Sequence, residues 1–444
     1  MRRLKLLLSA AAAILAPAAA HAAPAGRFVA PADQVVAIKA GHLYDPKASA
    51  LLPGQIILIR GDRIIDVGPA VAIPAGAKVI DLGNETVMPG MIDAHVHVVV
   101  GGNTPTERAL WALDSAQRDL RAGFTMVKDM DSRGGFNTVD LRDMINSGIV
   151  QGPRMQVVGQ ALNSRNGNYI RDTGSRTYTG RTDDKDVNGP WLARAAVREA
   201  KSHGVDFLKI FITQDFDGPS HLWNPDGSIA VYDQLTTEEV TAIVEEAHRL
   251  GLKVGCHSYD GTGRDPCLIA GVDEPIHLLQ LDEDGVKLVR AKHGIFVPTI
   301  DDLLALKKGD EAESGGLNSR LALSEKAFVK ARAAGIEIAF GSGATTLPNG
   351  DAPHGRQADQ LVWMMKWGMS AAEALRTSYV GAVHTLNYRM DRLIGSIEKG
   401  KYADIIAVPG DPLQDITQMQ HVRFVMKGGV VARDDDGAAG PGSR

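Results

Sequence analysis

Between residues 87 and 341 the chain repeats one pattern eight times: a short apolar run that reads as a buried strand, then a connection long enough for a crossover. The runs cover residues 87–99, 124–128, 155–161, 205–212, 252–256, 272–277, 295–300 and 336–341. Helical patterns at 237–250, 324–334 and 371–378 lie between or after them. Parallel strands need such crossovers, and eight strand–helix units predict an α/β chain folded as a (β/α)8 TIM barrel. A doubly wound sheet is the arrangement the pattern alone leaves open. The barrel is expected over residues 88–390.

The flanking pieces read differently. Residues 34–39, 55–60 and 63–67 are β-rich, with Gly61-Asp62 as a hairpin turn, and residues 403–408 and 422–426 are followed by Gly428-Gly429. Neither end buries a core alone. One small β-sandwich domain built from both chain ends, 27–87 and 391–433, is the economical reading. Residues 434–444 are rich in Asp, Gly and Pro and are expected to be disordered.

At 444 residues, with 44% hydrophobic residues and a formal net charge of -5, the chain has no basic excess that suggests nucleic acid. Arg2, Arg3 and Lys5 precede an apolar stretch, and Ala20-His21-Ala22 fits a small-x-small cleavage pattern. Residues 1–22 therefore read as a signal peptide, and the protein as periplasmic or secreted. No other stretch is long and apolar enough to span a bilayer, so no membrane partner is expected. Cys256 and Cys267, the two cysteines, either pair in an oxidising compartment or remain buried thiols.

The chemistry concentrates at the strand ends. Met88-Pro89-Gly90-Met91-Ile92-Asp93-Ala94-His95-Val96-His97 sets two imidazoles two residues apart on a strand, which aims both at one point. Such a pair suits zinc or another borderline divalent metal, although His-x-His alone is weak evidence. The fourth run carries Lys209, the fifth ends at His257 and the sixth at His277. A lysine inside an apolar barrel strand is costly to bury as an ammonium. A lowered pKa would let its amine take up carbon dioxide, and the carbamate could bridge two metals; a salt bridge to an acid such as Asp129 is the plainer alternative.

Taken together these residues resemble the amidohydrolase superfamily, in its prolidase-like and imidazolonepropionase-like branch of dipeptidases, N-acyl amino acid hydrolases and ochratoxin-degrading amidases. Residues 89–97, 206–209, His257-Ser258-Tyr259, Gly271-Val272-Asp273, the stretch 395–404 and Gly410-Asp411-Pro412 carry the likeness. The resemblance implies two divalent ions, zinc by ligand type. His95 and His97 would hold the more buried one, His257 and His277 the other, and a carboxylated Lys209 would join them. It implies hydrolysis of an amide in a small molecule, and homo-oligomers are common in the family it resembles.

The chain departs from that pattern where the family carries its eighth-strand aspartate: the position is Gly343, in Gly341-Ser342-Gly343-Ala344. Three readings follow. The protein is a catalytically impaired, metal- or ligand-binding homologue; or Asp351, otherwise an ordinary turn residue, substitutes as the acid; or the triplet is a local variant in a normal enzyme. Asn166 stands where the resemblance places a substrate-contacting histidine. Arg165, in a loop that also holds Arg171, Arg176 and Arg181, has the planar donors to grip a substrate carboxylate. Tyr259 is placed to donate to a carbonyl oxygen or simply to pack.

Overall fold

The structure is a computed structural model and describes residues 26–99, 102, 104–131, 135–163, 187–213, 223–229, 233–314, 316–345 and 353–435. Residues 1–22, expected to be a leader, and Arg165, Asn166, the other loop arginines and Asp351 lie outside the described residues. Near the C-terminus Asp434 ends a strand, so the described chain is ordered one residue further, to Asp435.

Both chain ends do meet. β1 (Val35–Asp45), β2 (Ala50–Arg60), β3 (Arg63–Gly68) and β4 (Lys78–Pro89) come from the first end. They join β12 (Ile405–Val408), β13 (Phe424–Lys427) and β14 (Val430–Asp434) in one seven-stranded sheet, ordered β14-β13-β12-β4-β1-β2-β3. Ile38, Ile57, Leu82, Ile405, Phe424 and Met426 form its core. The sequence reading named no strand over residues 78–86. β4 continues through Gly83-Asn84 where β1 shifts register between Ala40 and His42. There Gly41 and Gly83 touch: a Cβ on Gly41 would stand 2.0 Å from the Gly83 carbonyl oxygen.

Lys427, at the end of β13, gives this sheet a measurable pH response. Burial pushes its ammonium down to about 8 from an ordinary 10.5; the Arg154 guanidinium adds to this and the Asp404 carboxylate opposes it. Between about pH 8 and 10.5 only the unfolded chain keeps the proton, so this residue's contribution to stability rises with pH across that window. Lys427→Met is expected to raise stability at pH 7 by about 1–3 kcal/mol and to remove that rise. Urea melts at pH 7 and pH 10 check it.

The barrel strands are β5 (Met91–His97), β6 (Phe124–Asp129), β7 (Arg154–Val157), β8 (Leu208–Phe211), β9 (Val254–Ser258), β10 (Glu274–His277) and the short β11 (Ala344–Thr345). Two parallel sheets result, β11-β5-β6-β7 and β10-β9-β8. Single bridges close them into a ring. Leu162 meets Ile210, Ile276 meets Val297, and Phe296 meets Ile338. Ala94 then donates to the Phe340 carbonyl. The seventh strand is only this pair of bridges, because its predicted end at residue 300 is already helix.

The helices are α1 (Pro105–Arg121), α2 (Asn137–Asn146), α3 (Pro190–Ser202), α4 (Thr237–Arg249), α5 (Gly261–Ala270), α6 (Glu283–Ala291), α7 (Ile300–Glu313), α8 (Arg320–Ala333), α9 (Asp359–Lys366), α10 (Ala371–Arg376) and α11 (Ala382–Thr385). A Thr236/Glu239 capping box starts α4 at the predicted place. The helix α7 has no counterpart in the sequence reading. Cys256 of β9 and Cys267 of α5 are joined as a disulfide. Among the described residues no helix is long and apolar enough to cross a membrane.

Candidate metal centre

Strand alternation aims Lys209 and His257 into the barrel, and local breaks in the strands bring in the other candidate ligands. Bridged partners in a parallel ladder share a face, so Ile276 and His257, and Gly255 below them, mark one side of β9 and β10. That side is the barrel interior, where Ile276 packs with Met126, Met130 and Phe207. Lys209, two residues beyond Phe207, faces inward too. The β5 register shifts against β6 between Asp93 and Val96, and this bulge turns the strand end so that His95 and His97 also point in.

His95, Lys209, His257 and His277 are all at most 3% exposed. The Nε2 atoms of His95 and His97 stand 3.1 Å apart. Two nitrogens on one tetrahedral zinc ion are separated by about 3.3 Å, so the pair fits a shared ion. The His257 and His277 rings are 4.5 Å apart, and His277 lies 5.9 Å from His95. Burial, joined by the positive charges of Lys209 and the neighbouring histidines, holds His95, His257 and His277 well below the usual histidine range. They are therefore neutral and able to ligate. His257 Nε2 is buried without a hydrogen-bond partner, as expected of a nitrogen that awaits a ligand. Among the described residues no three His, Cys, Asp or Glu side chains already surround a common point. Lys209 lies close enough for its charge to act on His95, His257 and His277.

The alternative of a Lys209–Asp129 salt bridge fails on geometry. Asp129 is in register with Val96 and Val157 on the outward face, where its Oδ1 accepts from Val98 N at 3.1 Å. The acid and the lysine are on opposite sides of the barrel wall.

Several supporting residues were given no role by the sequence reading. Thr299 Oγ1 lies 2.7 Å from His277 Nδ1, which leaves the other ring nitrogen for the site. Both residues, with Leu278, have left-handed backbone (φ of 69°, 48° and 48° for His277, Leu278 and Thr299). For a β-branched threonine that conformation is strained, and strain of this kind gathers at functional sites. Asp93 accepts from His95 N, Ser342 N and Ser342 Oγ (3.0, 3.0 and 2.6 Å), tying the first strand to the eighth. His354 bridges the Asp119 carboxylate at 2.9 Å and the His97 carbonyl at 3.1 Å, so the Pro353-His354-Gly355 motif fixes the His-x-His backbone. Apart from the Asp93–His95 contact, these partners are far apart in sequence, so no local spacing signals them.

Gly343 sits where the pattern expects an aspartate. Its N–H donates to the His95 carbonyl at 2.7 Å, and its φ is 75°. Ser342 cannot replace the acid, since its hydroxyl is held by Asp93. Tyr259 does reach the cluster, with its ring 4.6 Å from His257 and 5.4 Å from His277. Phe211 lies on the other side of His257 at 4.7 Å.

Residues 86–432 match the amidohydrolase family. The chain is 26% identical over 430 residues to ochratoxinase of Aspergillus niger, spanning 86% of this chain and 85% of that enzyme. It is 23% identical over 407 residues to imidazolonepropionase of Geobacillus kaustophilus, spanning 85% and 90% respectively. It is similar to the crystal structure of a Xaa-Pro dipeptidase with methionine bound in the active site, with a TM-score of 0.77 and 28% identity over 90% of this chain and 100% of that one. With the histidine strands, the closed barrel and the family match all spanning the same residues, this chain belongs to the amidohydrolase family.

Proposed function

We propose that the protein is a metal-dependent hydrolase that cleaves the amide bond of a small substrate such as a dipeptide or an N-acyl amino acid. The observation that carries this is the convergence of four neutral or neutralisable imidazoles on a buried lysine inside the barrel. His95 and His97 would hold one divalent ion and His257 and His277 a second, with carboxylated Lys209 between them; zinc suits these donors. Ions bound there supply Lewis acidity toward an amide carbonyl and toward water.

The chain's own groups do the rest. Tyr259 would donate to the carbonyl oxygen, and Arg165 with Asn166 would orient the substrate. Gly343 carries no proton acceptor, so we assign the proton transfer to Asp351. The leader and the Cys256–Cys267 bridge support a periplasmic or secreted setting.

The test is metal analysis of the purified protein joined to turnover of dipeptides and N-acyl amino acids. About two metals per chain and measurable turnover are expected, with Asp351→Asn reducing kcat/KM by roughly 100-fold or more. Gly343 favours one other reading, a metal-binding homologue without turnover. In that case the wild type is inert and Gly343→Asp, tolerable in a left-handed backbone, gains activity. A protein with no bound metal sinks both.

A further inference from the structure

The carboxamide of Asn163 has no use inside the fold. Asn163 is fully buried, and neither its Oδ1 nor its Nδ2 has a hydrogen-bond partner. Its direction follows from the ladder. Leu162 is bridged to Ile210, between Lys209 and Phe211, and both pack in the outer apolar layer. Ala161 and Asn163, one residue to either side, therefore face inward with Lys209 and Phe211. Ala161 and Phe211 form their own apolar pair, which confirms that face. Asn163 is thus one step nearer the mouth than Ala161, beside the Phe211 ring that lies 4.7 Å from His257. Its backbone is pinned, since Val187 N donates to the Asn163 carbonyl at 3.1 Å.

A buried donor and acceptor, both unpaired, are costly unless a ligand completes them. A carboxamide presents one donor beside one acceptor, the complement of another uncharged amide edge. A carboxylate would use the donor and repel the acceptor. We propose that Asn163 is a specificity-determining residue that receives an amide or ureido group of the substrate in addition to the scissile bond. Nδ2 donates to that group's carbonyl, and Oδ1 accepts from its N–H. This rests on the amide-hydrolase reading and narrows its substrate class, from free N-acyl amino acids to their amides.

The test compares N-acetylglycinamide with N-acetylglycine by isothermal titration of the wild type and of two apolar variants, Asn163→Leu and Asn163→Val. The amide-to-acid affinity ratio is expected to fall about 10-fold or more in either variant, the worth of two hydrogen bonds. The melting temperature of the free variants is expected to hold or to rise by a few degrees, because an unpaired polar group has been removed. An unchanged ratio overturns the assignment. So does a clear fall in the melting temperature of both free variants, which would reveal an internal partner. Turnover separates this from the parent reading: a wild type that shows the Asn163-dependent preference yet cleaves no amide keeps the site and loses the hydrolase.

Discussion

Lys209→Met is expected to lower amide turnover by at least about 10³-fold and to strip most of the bound metal, while the protein stays folded. Lys209 is 1% exposed, and its charge bears on His95, His257 and His277. If it acts as a carbamate, it is the oxygen donor that joins the two histidine pairs, and methionine cannot form one. Methionine nonetheless fills the same space, and it removes a buried amine, so urea melts of metal-free protein should show no loss of stability. Metal content unchanged from wild type would remove Lys209 from the centre.

The second large effect concerns the barrel's other fully buried lysine and should go the opposite way. Lys128 is also inside, with its Nζ 4.0 Å from the Phe207 ring, but it is bonded to Glu274 and to the Thr385 carbonyl at 3.1 Å. Burial pushes the Lys128 ammonium down and the Glu274 carboxyl up, and each partner's charge opposes the other's shift. Lys128→Met leaves Glu274 buried without its cation, which costs about 3–5 kcal/mol. Denaturant melts should show that loss with metal content near wild type. Adding Glu274→Leu should recover most of it, since an apolar pair of similar volume replaces an ion pair at little net cost. A double variant as unstable as the single one would show that packing, not charge, holds this position.

The contrast between the two lysines marks how far residue spacing reaches. Both stand in apolar runs that read as buried strands, and only Lys209 drew attention, through the histidines at the neighbouring strand ends. Burial cost alone does not separate them. The separation lies in what faces each: Glu274 across the barrel for Lys128, imidazoles for Lys209.

Much of the site was nonetheless legible. The two-residue spacing of His95 and His97, and the positions of His257 and His277 at strand ends, follow from local periodicity, which the strand preserves wherever it sits. The eight-fold alternation likewise implied a barrel, because parallel strands demand crossovers whatever their packing. Other elements were hidden for physical reasons. β4 passes through Gly83-Asn84 only because Gly41 approaches it closely, a contact across the sheet. The start of α7 at Ile300 follows a left-handed Thr299, a strained geometry held by its hydrogen bond to His277.

The sequence by itself determined the donor types, their order along the chain and the missing side chain at Gly343, since these are covalent facts. Tertiary structure alone decided which donors face one another. The bulge in β5 aims the paired histidines, the ladder register puts Asp129 outside and Lys209 inside, and the same register turns Asn163 toward the mouth. Register is set by contacts between strands far apart in sequence, and a shift of one residue reverses every side chain it governs.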